Sequence, residues 1–289
     1  MIVVNLMGGL GNQMFQFATG LALQTATGQQ VRFAKDSYCS TRIVHGFELD
    51  QVFRLEVPSA TPAEMRRVLG PLAAHYDLRR AAAKWPQVSR FLSSAAVFER
   101  DFAFVPDLPT RLQGGGYLHG YWQSESYFAN ARDSIESAFQ FRNVAGITLD
   151  RPGAINVSLH VRRGDYMNAG SVHATCTKSY YMRALSALDL PPDQTVLHVF
   201  SDDPDWARAE VSALHPDCRF VAGHGGTESY KDMYLMSLCD HHIIANSSFS
   251  WWGAWLNRSP DKRVVAPEQW FSDPKLDSAR IIPAAWQRV

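Results

Sequence analysis

Apolar strand-like segments alternate with helix-like segments along the second half of the chain, and this alternation constrains the fold more than any other feature. The predicted strands are "AINVSLHV", "TVLHVFS", "RFVAG", "HHIIAN" and "KRVVAP", and the predicted helices between them are "SYYMRALSALDL", "PDWARAEVSAL", "SYKDMYLMSLCD" and "SWWGAWLN". Strands that alternate with helices favour a parallel, doubly wound sheet. The second half therefore predicts an α/β domain.

The N-terminus predicts a second unit of the same kind. "MIVVNL" has the continuous β-branched character of a buried parallel strand, "GGLG" breaks it, and a helical segment runs to Gly28, before the strand "QVRFA". This βαβ unit indicates a first domain over residues 1–150 and a second over 151–289, with the boundary near Arg142 to Ala154. The segment from Ser37 to Asn143 is less regular, and its elements cannot be ordered from the sequence.

Charge and cysteine content exclude several classes of function. The chain has 289 residues, and its 28 basic and 28 acidic side chains balance, which disfavours a nucleic-acid binder. Its four cysteines are widely spaced without a C-x-x-C pair, which argues against a zinc site and a disulfide scaffold. No apolar run reaches the roughly 18 residues of a membrane span. We expect a cytoplasmic protein.

Polar clusters follow three of the predicted strands in the second half. They are "RRGD" after "HV", "SDDP" after "HVF" and "NSSFS" after "IIA". Ligands of open parallel sheets bind beyond the carboxyl ends of the strands. The sequence therefore predicts that the three clusters meet at one edge of the sheet.

The chemistry of these clusters suits a nucleoside diphosphate. Arg162 and Arg163 offer fork-shaped donors for phosphate oxygens, and the serine cluster opens a helix whose amides attract anions. Asp202 and Asp203 are acceptors for a ribose diol or for the donor groups of guanine. Each motif also has an ordinary structural interpretation as a salt bridge or a helix cap, but the combination favours a shared site.

The glycine-rich loop "GGLGNQMF" allows two interpretations. No G-K-[ST] follows it, and Met14 stands where a dinucleotide fingerprint requires its third glycine after Gly9 and Gly11. It is either a tight strand-to-helix turn or a loop that lets a ligand approach its backbone, with Asn12 and Gln13 presenting polar groups.

Two further features of the second half favour structural roles. The adjacent histidines His241 and His242 have no acidic or cysteine partners at metal-ligand spacing. The tryptophans of "SWWGAW" are interpreted as packing residues.

The motifs "GGLGNQMFQ", "GYWQSESYF", "HVRRGDY", "FSDD" and "NSSFSWWGAWL", in this order, resemble the α-1,2-fucosyltransferases in their short bacterial form. The resemblance spans nearly the whole chain. It implies an inverting enzyme that transfers L-fucose from GDP-β-L-fucose to the 2-hydroxyl of a galactose. It also implies a GT-B-like fold, in which two Rossmann-like domains face each other across a cleft, without a metal or other cofactor.

The resemblance also implies a set of site residues. The C-terminal domain would hold the donor and the N-terminal domain mainly the acceptor. Arg162 would contact the pyrophosphate, His160 and Asp202 would lie near the guanosine, and Asn12 would reach the fucose or the acceptor. The full set expected to bind the donor is Gly9, Gly11, Asn12, His160, Arg162, Arg163, Asp202, Ser247, Ser248, Phe249 and Ser250.

The general base is not assigned by the sequence. Asp165 lies within the arginine motif and is a catalytic candidate beside Arg162, although it could instead orient either arginine. The alternatives in the first half are Glu48, Asp50, His119 and Glu125. A dissociative attack with little base assistance stays open as well.

Other functions remain as alternatives. They are an inverting glycosyltransferase with another linkage or nucleotide sugar, and a nucleotide-sugar-binding module without turnover. A dinucleotide oxidoreductase is disfavoured by the missing third glycine. The expected partners are GDP-fucose and a β-galactoside-terminated oligosaccharide or lipid-linked glycan, with no nucleic acid. Loose association with the inner face of the membrane is compatible with such an acceptor.

Overall fold

Two compact units make up the chain in the computed structural model, which describes all residues except 40–45, 72–74, 90–91, 150, 152, 165–166 and 168–173. Unit 1 comprises Met1–Arg142 with Ala279–Ile281, and unit 2 comprises Asn143–Ser278 with Ile282–Val289. In the described residues each unit contains one sheet, and every strand pair in both sheets is parallel. The predicted α/β class with parallel sheets is confirmed.

Unit 1 is built around a four-stranded sheet. Its elements in chain order are β1 Ile2–Asn5, α1 Leu10–Thr27, β2 Val31–Ala34, α2 Leu49–Val52, α3 Pro62–Leu69, α4 Tyr76–Lys84, α5 Pro86–Ser89, β3 Ala96–Phe98, α6 Leu108–Arg111, β4 Gly116–His119 and α7 Arg132–Ala138.

The strand order β2-β1-β4-β3 determines where unit 1 can bind a ligand. The chain leaves β1 toward β2 on one side and later returns to place β4 on the other side. The switch point of the topology therefore lies between β1 and β4, and ligands of open α/β sheets bind at the carboxyl ends of such a pair. The helix α1 connects β1 to β2, and Gly28 ends it at φ 67, as the sequence predicts for a left-handed C-cap.

Unit 2 contains a six-stranded sheet. Its elements are β5 Ile155–Val161, α8 Lys178–Leu188, β6 Thr195–Ser201, α9 Pro204–Val211, β7 Cys218–Phe220, α10 Tyr230–Ser237, β8 His241–Ile243, α11 Ser248–Leu256, β9 Val264–Ala266 and β10 Gln287–Arg288.

The strand order β10-β9-β8-β5-β6-β7 brings the three predicted polar clusters to neighbouring strand ends. β5 pairs with β6 on one side and with β8 on the other. The alternate residues Val157, Leu159 and Val161 of β5 pack in one apolar core with α8 and α9, which fixes the side to which the other residues of β5 point. The switch point lies between β5 and β8, so the arginine and serine clusters flank it.

Three local features of the structure are not evident from the sequence. The short strands β3 and β10 have no counterpart in the prediction, because three and two residues are too few for a recognisable pattern. The segment "SYFANARDSIESAF" is helical only from the start of α7, since the preceding residues form two short 3₁₀ turns. The first turn is capped by the Ser124 side chain, which accepts a hydrogen bond from the Ser126 amide.

Within the described ranges, none of the helices has both the length and the apolar character that crossing a membrane requires.

Candidate functional site

Asp202, which follows β6, organises the arginine motif that follows β5. Its Oδ1 accepts a hydrogen bond from the Arg163 amide at 2.8 Å, and its Oδ2 accepts one from the Gly164 amide at 3.1 Å. The Nε of Arg162 lies 3.2 Å from the same Oδ2, and both side chains are about three-quarters buried. A Cβ on Gly164 would lie 2.9 Å from Oδ2, so the turn requires a glycine here. Asp202 therefore sets both the backbone path and the direction of Arg162.

Arg163 forms a second ion pair with the neighbouring aspartate. Its Nε lies 3.3 Å from the Asp203 Oδ2, and its guanidinium lies 4.2 Å from the centre of the Trp206 ring. Asp203 also caps α9, because its Oδ1 accepts a hydrogen bond from the Trp206 amide at 3.2 Å. The structural interpretation of "SDDP" as a helix cap is thus correct for Asp203. Arg163 is directed to α9 and Arg162 to Asp202.

His160 is the last inward-facing polar residue of β5 before the arginines. Burial, and then the Arg162 charge, lower the pKa of its imidazole to about 3, so the ring is neutral at physiological pH. Its ring centre lies 6.0 Å from that of Phe249 in the first turn of α11. Among the described residues its Nδ1 has no hydrogen-bond partner. The histidine thus packs between the end of β5 and the start of α11, and its Nδ1 could accept or donate one more hydrogen bond.

The serine cluster forms the N-terminus of α11. Ser247 is the N-cap, and its hydroxyl accepts a hydrogen bond from the Phe249 amide at 3.3 Å. The Ser250 hydroxyl donates to the Ser247 carbonyl at 3.4 Å and is buried, whereas Ser248 is partly exposed. The amide end of a helix carries partial positive charge. α11 therefore directs the partially positive end of its backbone toward the strand end next to Arg162.

Asn246 serves the scaffold of this site. Its Nδ2 donates to the carbonyls of Ala174 at 2.6 Å and Trp270 at 2.9 Å, and the residue is fully buried. These bonds fix the segment between β8 and α11, so that the N-cap of α11 is held at the edge of the sheet.

The structural interpretations of the tryptophans and of His242 are confirmed. Trp251, Trp252 and Trp255 are buried and pack with ring centres 5.0 to 6.4 Å apart. His242 is buried between the Ser158 hydroxyl at 2.7 Å and the Asn257 amide at 2.9 Å.

In the part of the chain that the structure describes, no three His, Cys, Asp or Glu residues are grouped to hold a metal. Metal independence of the reaction stays a prediction.

The glycine loop of unit 1 begins α1. Gly9 is the N-cap of this helix, and Gly11 is buried in its first turn. The side-chain Oδ1 of Asn12 accepts a hydrogen bond from the Gln123 Nε2 at 2.7 Å. Of the two interpretations left open for this loop, a ligand-facing Gln13 does not hold, because this side chain is fully buried. Its Nε2 donates to the carbonyls of Gly8 and Gly46, and its Oε1 accepts from the Glu48 amide.

The base candidates differ in their surroundings. Asp165 lies outside the described residues. The Glu125 carboxylate is 2.9 Å from the Arg132 guanidinium, so an ion pair already engages it. Asp50 lies 4.0 Å from the Lys35 amine.

His119 and Glu48 are shifted toward their neutral forms. Burial, and then the charge of Arg79, lower the pKa of His119 to about 4, and its Nδ1 lies 3.2 Å from the Tyr117 hydroxyl. Burial raises the pKa of Glu48, although a hydrogen bond from the Leu10 amide opposes this. A raised carboxyl pKa suits a general base. The base therefore stays unassigned.

Sequence reasoning missed several residues that support these loops. The Tyr181 hydroxyl donates to the His160 carbonyl at 3.0 Å. In unit 1, Gln16 is fully buried and bonds to both Met7 and Gly120, and Glu99 accepts hydrogen bonds from the turn that follows β4. A signal existed for Gln16. Together with Gln13 it places polar groups three residues apart within an otherwise apolar helix, where buried amides must find partners.

The chain is similar to known proteins over its full length. Residues 1–288 match the family model described as Glycosyl transferase family 11. An alpha-1,2-colitosyltransferase of Escherichia coli is 32% identical, with 100% of this chain and 98% of the relative covered. The O-antigen biosynthesis glycosyltransferase WbnK of Escherichia coli is also 32% identical, with 92% and 94% covered. Galactoside alpha-(1,2)-fucosyltransferase 1 of Bos taurus is 25% identical, with 86% and 64% covered.

Solved structures of other fucosyltransferases share the fold. NodZ alpha-1,6-fucosyltransferase soaked with GDP-fucose is 16% identical and matches with a TM-score of 0.52 over 88% of this chain and 92% of that chain. NodZ comes from Bradyrhizobium. Arabidopsis thaliana FUT1 in complex with GDP is 12% identical and matches with a TM-score of 0.54 over 98% and 74%.

Proposed function

Because the chain belongs to glycosyl transferase family 11, we propose that it transfers L-fucose from GDP-β-L-fucose to the 2-hydroxyl of a terminal galactose, with inversion at the anomeric carbon. The observation that carries this proposal is the convergence of Arg162, Asp202 and the N-terminus of α11 on three neighbouring strand ends at the switch point of unit 2. A fucosyltransferase soaked with GDP-fucose has a similar fold, which supports the choice of donor.

Arg162 and α11 stabilise the leaving group in this proposal. When the bond between fucose and GDP breaks, negative charge develops on the β-phosphate. A guanidinium held in one direction and the amide end of a helix meet that charge without reorganising, which is the main source of electrostatic catalysis. Asp202 keeps Arg162 in that direction through the contact at 3.2 Å. His160 and Phe249 would then line the guanosine and sugar side of the same edge.

The acceptor hydroxyl attacks from the opposite face of the sugar ring as the fucosyl group becomes oxocarbenium-like. This geometry converts the β-linked donor into an α-linked product. The proton of the hydroxyl passes to a base or to solvent. Asp165, within the arginine motif, keeps its candidate role in this step.

A colitosyl donor is the second candidate, because an alpha-1,2-colitosyltransferase aligns with the whole chain at 32% identity. The contacts described above engage the nucleotide, and they would serve any GDP-linked sugar equally well. The acceptor that fits either donor is a galactoside-terminated oligosaccharide or lipid-linked glycan. We place the reaction in the cytoplasm, with the protein loosely associated with the inner face of the membrane when the acceptor is lipid-linked.

The test is turnover by the purified protein in EDTA. GDP-fucose or GDP-colitose is supplied with lactose, and both GDP release and the glycosylated trisaccharide are followed. The proposal predicts a fucosylated trisaccharide, and a marked preference for GDP-colitose would favour the second candidate. If neither donor is consumed, GDP binding is measured, and failure to bind GDP overturns the donor site.

The matched control compares two arginine variants. Arg162→Ala should abolish turnover, whereas Arg183→Ala, which removes an exposed arginine of α8, should leave it unchanged.

A further inference from the structure

The loop after β1 and the turn after β4 meet at the switch point of unit 1. The strands β1 and β4 pair directly, so their carboxyl ends lie side by side. Asn12 follows β1 in the first turn of α1, and Gln123 follows β4. Their hydrogen bond of 2.7 Å joins the two segments at the position where an open α/β sheet binds its ligand.

Gln123 carries an unsatisfied polar atom at this position. The residue is only 7% exposed, and among the described residues its Oε1 has no hydrogen-bond partner. Its Nε2 is already used as the donor to Asn12. Buried amide oxygens are almost always paired, and an unpaired one is unfavourable. A donor group of a bound substrate would satisfy this atom.

The turn that carries Gln123 is held in place from two sides. The Glu99 carboxylate accepts hydrogen bonds from the amides of Tyr121 at 2.5 Å and Trp122 at 3.1 Å. Gln16 donates to the Gly120 carbonyl at 3.0 Å. Trp122 is fully buried at φ 56, a conformation that a bulky residue keeps only when its surroundings enforce it.

The other member of the pair is held equally closely. Gly8 has φ 80, and a Cβ added to it would lie 2.6 Å from the Asn12 Nδ2. The same Gln16 that anchors Gly120 accepts a hydrogen bond from the Met7 amide at 2.9 Å. One buried glutamine thus sets the relative position of the two loops, and the amides of Asn12 and Gln123 are oriented before any ligand arrives.

We propose that Gln123 is a specificity-determining residue that recognises one hydroxyl of a substrate sugar. Its Oε1 accepts the hydroxyl proton, and the adjacent Asn12 amide donates to the hydroxyl oxygen. A hydroxyl is both donor and acceptor, so it matches this pair, whereas a phosphate offers no proton for Oε1. The proposal rests on the proposed function, and the hydroxyl belongs either to the acceptor galactoside or to the fucosyl group of the donor.

Kinetics of a near-isosteric variant test the proposal. Gln123→Met keeps the length of the side chain and removes its amide, and Gln140→Met makes the same change at an exposed position outside the site. We expect Gln123→Met to lower kcat/KM about 10- to 100-fold, through the KM of the sugar whose hydroxyl is recognised. Gln140→Met should match the wild type. Unchanged kinetics for Gln123→Met would overturn the proposal.

Deoxy analogues separate recognition from a structural role. Galactosides that lack O3, O4 or O6, and GDP-fucose that lacks one fucosyl hydroxyl, are compared with the parent substrates on wild type and Gln123→Met. For the wild type, kcat/KM for the analogue without the recognised hydroxyl should be about 10- to 100-fold below that for the parent substrate. For Gln123→Met, kcat/KM for that analogue and for the parent substrate should be nearly equal. Coupling to a galactoside or to a fucosyl hydroxyl identifies the sugar. If the loss from the substitution and the loss from the missing hydroxyl multiply for every analogue, recognition of a hydroxyl by Gln123 is overturned.

A second variant and a binding readout cover the remaining outcomes. Gln123→Glu keeps an acceptor oxygen and should retain more activity than Gln123→Met. It takes the place of Gln123→Met in the kinetic comparison if the methionine variant folds poorly. If the wild type transfers sugar from neither GDP-fucose nor GDP-colitose, the proposed function is wrong, and the role of Gln123 is then tested by binding. The side-chain amide resonance of Gln123 in ¹⁵N-labelled protein is then titrated with lactose and GDP-fucose. A shift that is absent for a galactoside without the recognised hydroxyl supports the proposal, and no shift with either ligand overturns it.

Discussion

Replacing Asp202 by asparagine tests how the arginine motif is held. The carboxylate accepts hydrogen bonds from two backbone amides, at 2.8 and 3.1 Å, and an ion-pair contact from Arg162 at 3.2 Å. Asparagine keeps one acceptor oxygen, but its NH₂ group would face the donors that now share Oδ2. The ion-pair contact with the guanidinium and the hydrogen bond from the Gly164 amide are lost.

The magnitude follows from these contacts. A hydrogen bond to a charged group contributes about 1.5–3 kcal/mol, and solvent reduces the Arg162 contact because about a quarter of each side chain is exposed. We expect Asp202→Asn to lose about 2–4 kcal/mol of transition-state stabilisation, or roughly 30- to 1000-fold in kcat/KM. The assay is GDP release with GDP-fucose and a galactoside. Asp205→Asn, the same change at an exposed position in α9, is the control.

A double-mutant cycle decides whether Asp202 acts through Arg162. If it does, Asp202→Asn should weaken GDP binding in the wild type and change it little when Arg162 is already alanine, a background without turnover to compare. Fully additive losses, or an Asp202→Asn enzyme within threefold of the wild type and the Asp205→Asn control, would refute the reasoning.

Three further changes have defined outcomes. Arg162→Lys should restore little of the activity lost in Arg162→Ala, because a single ammonium cannot reproduce the guanidinium fork; turnover near the wild-type rate would contradict a fork-specific contact. Gly8→Ala should lower kcat/KM and should also lower the free energy of unfolding by about 1–2 kcal/mol, because φ is 80 and the new methyl group meets Asn12. An unchanged midpoint of unfolding in urea would contradict this. Burial raises the pKa of Glu99 to about 7, so between pH 4.5 and 7 the folded state keeps a proton that the unfolded state releases, and the contribution of Glu99 to the free energy of unfolding should fall by about 3 kcal/mol over that range. Glu99→Gln should therefore gain stability relative to the wild type as the pH rises in urea titrations, and an identical pH dependence of the two proteins would show that Glu99 does not ionise this way.

The fold could be predicted where the sequence carries a long pattern. The strands of unit 2 are β-branched runs that prolines and helical segments separate, and their order in the sheet brought the three polar clusters together as predicted. The family predicted from the motifs is confirmed by a match over residues 1–288. The strand β3 escaped prediction because its three residues are defined by pairing with β4 rather than by their own periodicity.

The position of the candidate residues at neighbouring strand ends could be predicted, but their internal pairing could not. The motif spacing indicated that Arg162 and Asp202 would lie on neighbouring strand ends. It could not indicate that Asp202 would hold Arg162 and that Asp203 would instead cap α9, because the backbone path of the turn decides this. The direction of Gln13 stayed open for a related reason. A polar residue at a helix start is equally compatible with a ligand and with three backbone partners, and only packing distinguishes the two.

The central claim is tested most directly by determining the structure of the reaction product. Purified protein is incubated with GDP-fucose and lactose in EDTA, and the isolated trisaccharide is analysed by mass spectrometry and two-dimensional NMR. The account predicts one fucosyl group, α-linked to the 2-oxygen of galactose. A β-linked product, attachment at another oxygen, or a requirement for added metal would contradict it.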